Sequence, residues 1–383
     1  MTNNELFDDI RSYKDSEVEA ALARLIKSPD LKNLLTKLKT EKEIEEEFEA
    51  LKSIKTIEDF QQKHIAPYAR HILDSTIDKL TYSGLNNIKP GKNYLFVSNH
   101  RDIIIDSAVL NTIFQQNNLP TTEIGLGDNL LIFDWITDLV KLNKGYIVKR
   151  NIQGKEMLLA ALQLSKYIRK KIAEDRQSVW IAQRPGRTKD GNDITQAGLL
   201  KMLILSKRKN ILKALDDLNI CPVTVSYENE PCEISKLNAT YLTQNNIPYD
   251  KTPEEDLDDM GRGLLFNKGN VHINVSKEIK FSEKISKETG NENKTIENAV
   301  KLIDEAIYSG YRLFPKNYVA YDLLHQTNTY FNQNKYSKAD KENFVLKFEE
   351  TAKTLDKPKR DIKHLFTELY AYPVINLEKQ KIY

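Results

Sequence analysis

Apolar positions change their spacing twice along the chain. Over the first eighty or so residues they recur at helical intervals. Val18, Ala21, Leu22, Leu25 and Ile26 form one stripe, and Ser16-Glu17-Val18-Glu19 ahead of it has the form of a capping box. Ser28-Pro29-Asp30 starts a second helix with proline at its first position, and Leu31, Leu34, Leu35 and Leu38 share a face. The charged run from Glu41 to Glu49 keeps Ile44, Phe48 and Leu51 in helical register. It therefore reads as a solvated helix, not a ligand site. From about residue 85 short β-type runs alternate with helical stretches. The runs are 94–97, 123–126, 146–148, 179–182, 222–226 and 271–275. Helical patterns follow Asp106 and cover 134–142, 155–173 and 199–215. Residues 232–268 read as an insertion of turns and acidic residues, such as Thr252-Pro253-Glu254-Glu255-Asp256. Beyond 290 the helical period returns, at Ile296, Val300, Leu302, Ile303 and Ile307, then at 318–331 and 344–355.

This alternation predicts an α/β fold, with a mixed, largely parallel sheet flanked by helices and helical N-terminal and C-terminal extensions. The boundaries fall at 1–84 for the N-terminal helical region, 85–285 for the α/β domain and 286–383 for the C-terminal helical region. Composition changes the picture little. Net charge is +2, so nothing global calls for nucleic acid. Two cysteines, Cys221 and Cys232, argue against a disulfide framework and read as buried thiols, with no metal site expected. The polar N-terminus has no signal-peptide core, and no apolar run nears the ~20 residues that span a bilayer. The expected location is cytoplasmic, at most peripheral to the inner face of a membrane.

The chemistry centres on Tyr94-Leu95-Phe96-Val97-Ser98-Asn99-His100-Arg101-Asp102. A β-type run ends at Ser98-Asn99 and hands His100 into a turn. Asp106 follows six residues later, where a helix begins, so its carboxylate can return to the ring. A carboxylate fixes the imidazole tautomer and lets the other nitrogen act as general base. Asp102 suits the cap of the following helix. His100-Arg101-Asp102 also spells the start of a kinase catalytic loop. However, Ser107 stands where that loop needs asparagine, and no glycine-rich phosphate loop or Asp-Phe-Gly accompanies it. Ligands of layered α/β sheets sit beyond the carboxyl ends of the strands. Lys149 and Arg150 end the third run, and Arg184, Arg187 and Lys189 flank Gly186 after the fourth. Cations gathered near a candidate base suit an anionic substrate.

The order of these elements resembles the glycerolipid acyltransferases, a family that includes glycerol-3-phosphate and lysophosphatidic acid acyltransferases. The matching elements are His100 and Asp106, then Gly145-Tyr146-Ile147-Val148-Lys149-Arg150, then Gly186-Arg187-Thr188-Lys189-Asp190-Gly191, then Ile220-Cys221-Pro222-Val223. The resemblance covers roughly residues 90 to 280. It implies a His-Asp dyad that deprotonates an acceptor hydroxyl for attack on the thioester of acyl-CoA or acyl-carrier protein. The acyl donor is a co-substrate, and no cofactor or metal is implied. His100 would be the base and Asp106 its orienter. Arg150, Gly186 and Arg187 would serve the glycerol-phosphate acceptor, beside Lys149, Arg184 and Lys189, and Pro222 would shape the strand. Two features depart from the family. The spacer between His100 and Asp106 has five residues where four are usual. Pro185 stands where the third block usually has glutamate. Two alternatives follow, an O-acyltransferase for another lipid such as an amino-acid lipid, and a catalytically weakened lipid-binding protein. A lipid substrate also implies peripheral membrane contact.

Overall fold

The computed structural model describes residues 5–37, 39–249, 252–286 and 291–381. Its strands are β1 (Lys79–Ser83), β2 (Leu95–Ser98), β3 (Glu123–Gly127), β4 (Gly145–Val148), β5 (Val179–Ala182), β6 (Ile220–Tyr227) and β7 (Asn270–Val275). They form one sheet in the order β1-β7-β6-β2-β5-β3-β4. The β6–β7 pairing is antiparallel and every other pairing is parallel. The carboxyl ends of β2 to β6 therefore share one edge.

β2 is buried along its whole length, as the centre of a sheet covered on both faces requires. Successive side chains point to opposite faces. Leu95 and Val97 join Val179, Ile181 and Ile220 beneath helices Gly154–Ala173, Ala197–Ile204, Ile211–Asp216 and Glu292–Ser309. Tyr94 and Phe96 join Trp180, Val223, Val225 and Ile273 beneath helices Ala66–Thr76 and Ile105–Gln116. Pro222 fits β6 because its carbonyl accepts from Ser276 N, just past the end of the β6–β7 ladder, where no proline N–H is needed. Separate apolar clusters sit among the N-terminal and the C-terminal helices.

Several local expectations shift. β1 lies in the stretch expected to be helical. Helix Asp15–Lys27 has its cap at Lys14, two residues before the proposed one, because Glu17 reaches back to Lys14 N at 2.7 Å and is gripped by Arg11. Helix Pro29–Leu35 is capped by Ser28 as expected, yet it buries no residue, and Leu38 lies outside the described residues. The pattern at 199–215 is two helices, the second capped by Asn210. The stretch 318–331 is also two, helix Pro315–His325 and helix Thr329–Asn332, parted where Gln326 turns left-handed. Residues 232–268 are not a run of turns. They hold helices Glu233–Gln244 and Pro253–Leu265, the latter opened by a Thr252–Glu255 capping box. Among the described residues no helix is long and apolar enough to cross a membrane.

Candidate active site

His100 lies two residues beyond β2 at the shared carboxyl edge. Asp106 sits in the first turn of helix Ile105–Gln116, where the helix dipole favours a carboxylate. His100 Nδ1 and Asp106 Oδ2 are 2.9 Å apart. Arg101 N and Asp102 N donate to the same oxygen at 2.7 and 3.1 Å, and Tyr227 Oη donates to Oδ1 at 2.7 Å. Four donors thus hold a carboxylate that is 1% exposed. His100 is 12% exposed and packs edge-on to Trp180, with ring centroids 5.9 Å apart. Among the described residues its Nε2 has no hydrogen-bond partner. The longer spacer is absorbed by Asp102, whose Oδ1 accepts from Ile104 N and Ile105 N at 2.9 and 2.8 Å. Asp102 therefore caps the helix, and Asp106 meets the ring. Burial, with Asp106 adjacent, pushes the Asp102 carboxyl above its ordinary range.

A sealed charge network underlies this turn. Arg101 donates to Asp193 at 2.8 Å, to Glu230 at 3.1 Å and to Gly191 O at 3.0 Å. Lys236 bonds Glu230 and Arg101 O. Asp193 also accepts from Asn99, Thr188 and Tyr311. The loop after β5 is tied to the histidine itself, since Thr188 N donates to His100 O at 2.8 Å. Gly191 closes that loop at φ +87°, and its Cα faces the Leu369 backbone so closely that no side chain fits. These positions escaped the sequence reading. Arg101 looks like a turn residue, and nothing local marks Asp193, Tyr227 or Glu230 as its neighbours or those of Asp106.

The expected cations are spread along the edge. Arg187, beside the His100 turn, pairs with Asp259 at 2.6 Å. Gly186 makes a left-handed turn with open space around it. Arg184 is half-buried, with its Nε sealed and unpartnered, and Lys189 is exposed. Arg150 folds back over the end of β3, where a Cβ on Gly127 would meet its Nε at 2.6 Å. Burial lowers the Arg150 pKa, against the opposing charges of Asp128 and Asp256. Lys149 turns instead to Asp9 in the N-terminal segment. Cys221 and Cys232 are buried and unbridged. Burial pushes the Cys232 thiol up to about 11.

Residues 79–226 match the model of the Acyltransferase family. The chain carries an Acyltransferase-family domain over that span. The matched span runs from β1 nearly to the end of β6 and contains the His100 turn, both basic loops and Pro222. No curated protein matches the chain significantly. Among solved structures it is similar to the 1-acyl-sn-glycerophosphate acyltransferase PlsC from Thermotoga maritima, with a TM-score of 0.36 and 12% identity over 74% of this chain and 92% of that one.

Tyr227→Phe removes one of the four donors to Asp106 and leaves the other three. The expected result is a loss of about fivefold in kcat, the rate equivalent of one hydrogen bond worth ~1 kcal/mol, with little change in acceptor KM. Steady-state kinetics would show it. A KM effect alone would assign Tyr227 to acceptor binding instead.

Proposed function

We propose that the enzyme moves a fatty acyl group from acyl-CoA or acyl-carrier protein to a hydroxyl of glycerol-3-phosphate or 1-acylglycerol-3-phosphate. His100 Nε2 takes the proton of the acceptor hydroxyl as the oxygen attacks the thioester carbonyl. The tetrahedral adduct collapses to an ester, and the departing thiolate takes the proton back from the imidazolium. Asp106 holds the ring in the tautomer that leaves Nε2 basic and stabilises its charged form. Arg187, with Arg150 and Arg184 along the rim, meets the acceptor phosphate. The observation that carries this reading is the His100–Asp106 contact at 2.9 Å at the sheet's carboxyl edge, with Nε2 unpartnered.

Pro185 does not strip the loop of acid. It stands exposed at a turn, and carboxylates reach the loop from Asp193 through Thr188 and from Asp259 through Arg187. This favours a working enzyme over a weakened one.

The test is acyl transfer from palmitoyl-CoA to a panel of glycerol-3-phosphate, 1-acylglycerol-3-phosphate, glycerol and an amino-acid lipid. Ester should form on the phosphorylated acceptors. Transfer only to the unphosphorylated ones would refute the acceptor assignment. Arg150→Ala should weaken glycerol-3-phosphate affinity by about tenfold, the order expected for loss of a charge-assisted contact. Unchanged acceptor affinity with poorer acyl-CoA use would move Arg150 to the donor's phosphates. Flotation with anionic liposomes tests the peripheral membrane contact that a lipid product calls for.

A further inference from the structure

Helix Pro253–Leu265 crosses the active edge, from the Asp128–Leu130 turn after β3 to helix Ala66–Thr76. Its sequence holds Glu254, Glu255, Asp256, Asp258 and Asp259 against Arg262 alone. It lays carboxylates on the very cations assigned to anion binding. Asp259 Oδ2 accepts from Arg187 Nη2 at 2.6 Å in a pair almost closed to solvent. Asp256 accepts from Asn129 Nδ2 at 3.3 Å, and its charge acts on Arg150. The helix also rests on the His100 turn. Cys232 Sγ donates to Asp259 O at 3.3 Å, and a Cβ on Gly263 would strike the Asp102 carboxylate.

Two features show that this seat is not a finished one. Arg187 Nη1 is buried with no partner, so one carboxylate engages only part of a fork that a phosphate would fill. The helix is also weakly built. It contains two glycines of low helix propensity, Gly261 and Gly263, and Leu265 at its end is 81% exposed.

We propose that helix Pro253–Leu265 is a displaceable acidic cover, and that Asp259 sets acceptor specificity by holding Arg187 until a phosphomonoester dianion replaces it. This rests on the role given to Arg187 above. A dianion brings more charge than the carboxylate and three acceptor oxygens, enough to engage Nη1 as well as Nη2. An uncharged hydroxyl compound has nothing to exchange with Asp259 and leaves the cover seated. A ligand moves such an equilibrium only through its difference in affinity for the two states, and the phosphate supplies that difference.

Two measurements test the cover. In steady-state assays with palmitoyl-CoA, Asp259→Asn should lower the KM for glycerol-3-phosphate by about fivefold or more, the range of a typical coupling between competing groups. A raised KM would show that Asp259 positions Arg187 for the substrate, and the proposal would fall. In the wild-type protein, hydrogen exchange should speed up across residues 253–265 on adding glycerol-3-phosphate, and should not change on adding glycerol. Unchanged or slower exchange with glycerol-3-phosphate overturns the cover even if the asparagine variant does not fold. Exchange needs no turnover, so a wild type inactive toward phosphorylated acceptors would refute the reaction proposed above while this arm still reads the cover.

Discussion

His100→Ala is expected to lose acyl transfer by about a hundredfold or more, the usual contribution of a positioned general base. The alanine removes the one group at the carboxyl edge whose Nδ1 is held by Asp106 and whose Nε2 is unpartnered. The fold should survive, because the ring is an edge-on neighbour of Trp180 and not part of either core cluster. Initial rates with palmitoyl-CoA and glycerol-3-phosphate, read beside a thermal melt, separate lost chemistry from lost folding. Asp106→Asn should fall in the same direction, since an amide cannot stabilise the imidazolium as a carboxylate does. A His100→Ala enzyme as fast as wild type would end the dyad mechanism, whatever the family.

The second large effect concerns stability. Arg101→Met takes the shared cation away from Asp193 and Glu230 in a site where Arg101 is 4% exposed. Lys236 still serves Glu230, but Asp193 keeps only neutral donors. Breaking one side of a buried ion pair costs about 3–5 kcal/mol. Urea unfolding should show a loss of this size, and adding Asp193→Asn should recover part of it, because the stranded charge is then gone. A midpoint equal to wild type would mean that the network does not hold the turn. The pH response follows from the same group. Burial works to raise the Asp193 pKa, but the Arg101 guanidinium outweighs it and leaves the carboxyl below its ordinary range. A depressed carboxyl contributes stability that is full above the unfolded value, ~3.9, and is lost as pH falls through the folded one. In Arg101→Met burial acts on Asp193 without the guanidinium and raises its carboxyl, so the penalty should be full at neutral pH, shrink as acid protonates the stranded carboxylate, and shrink further below ~3.9 as the wild type loses its own share.

What the one-dimensional chain settled about this protein is local. Strand after strand was legible because a run buried on both faces must be apolar throughout, and β5 matched its expected limits. The positions of Asp102 and Asp106 were legible too, because a contact with the helix start and a return to the ring depend on spacing within one turn and one helix start. β1 was missed because its burial is slight and its place depends on β7, almost two hundred residues away. The 232–268 stretch misled because acidic residues next to proline and glycine look like a loop, until a capping box and a bed of cations make them helical. Tertiary structure alone decided the partners. Tyr227 reaches Asp106 across 121 positions, Asp193 reaches Arg101 across 92, and Asp259 covers Arg187 across 72. Period and propensity report how a residue sits in its own element. They do not report which distant charge will neutralise it, because that depends on the order in which the sheet places its strands and on the helix that folds across their ends.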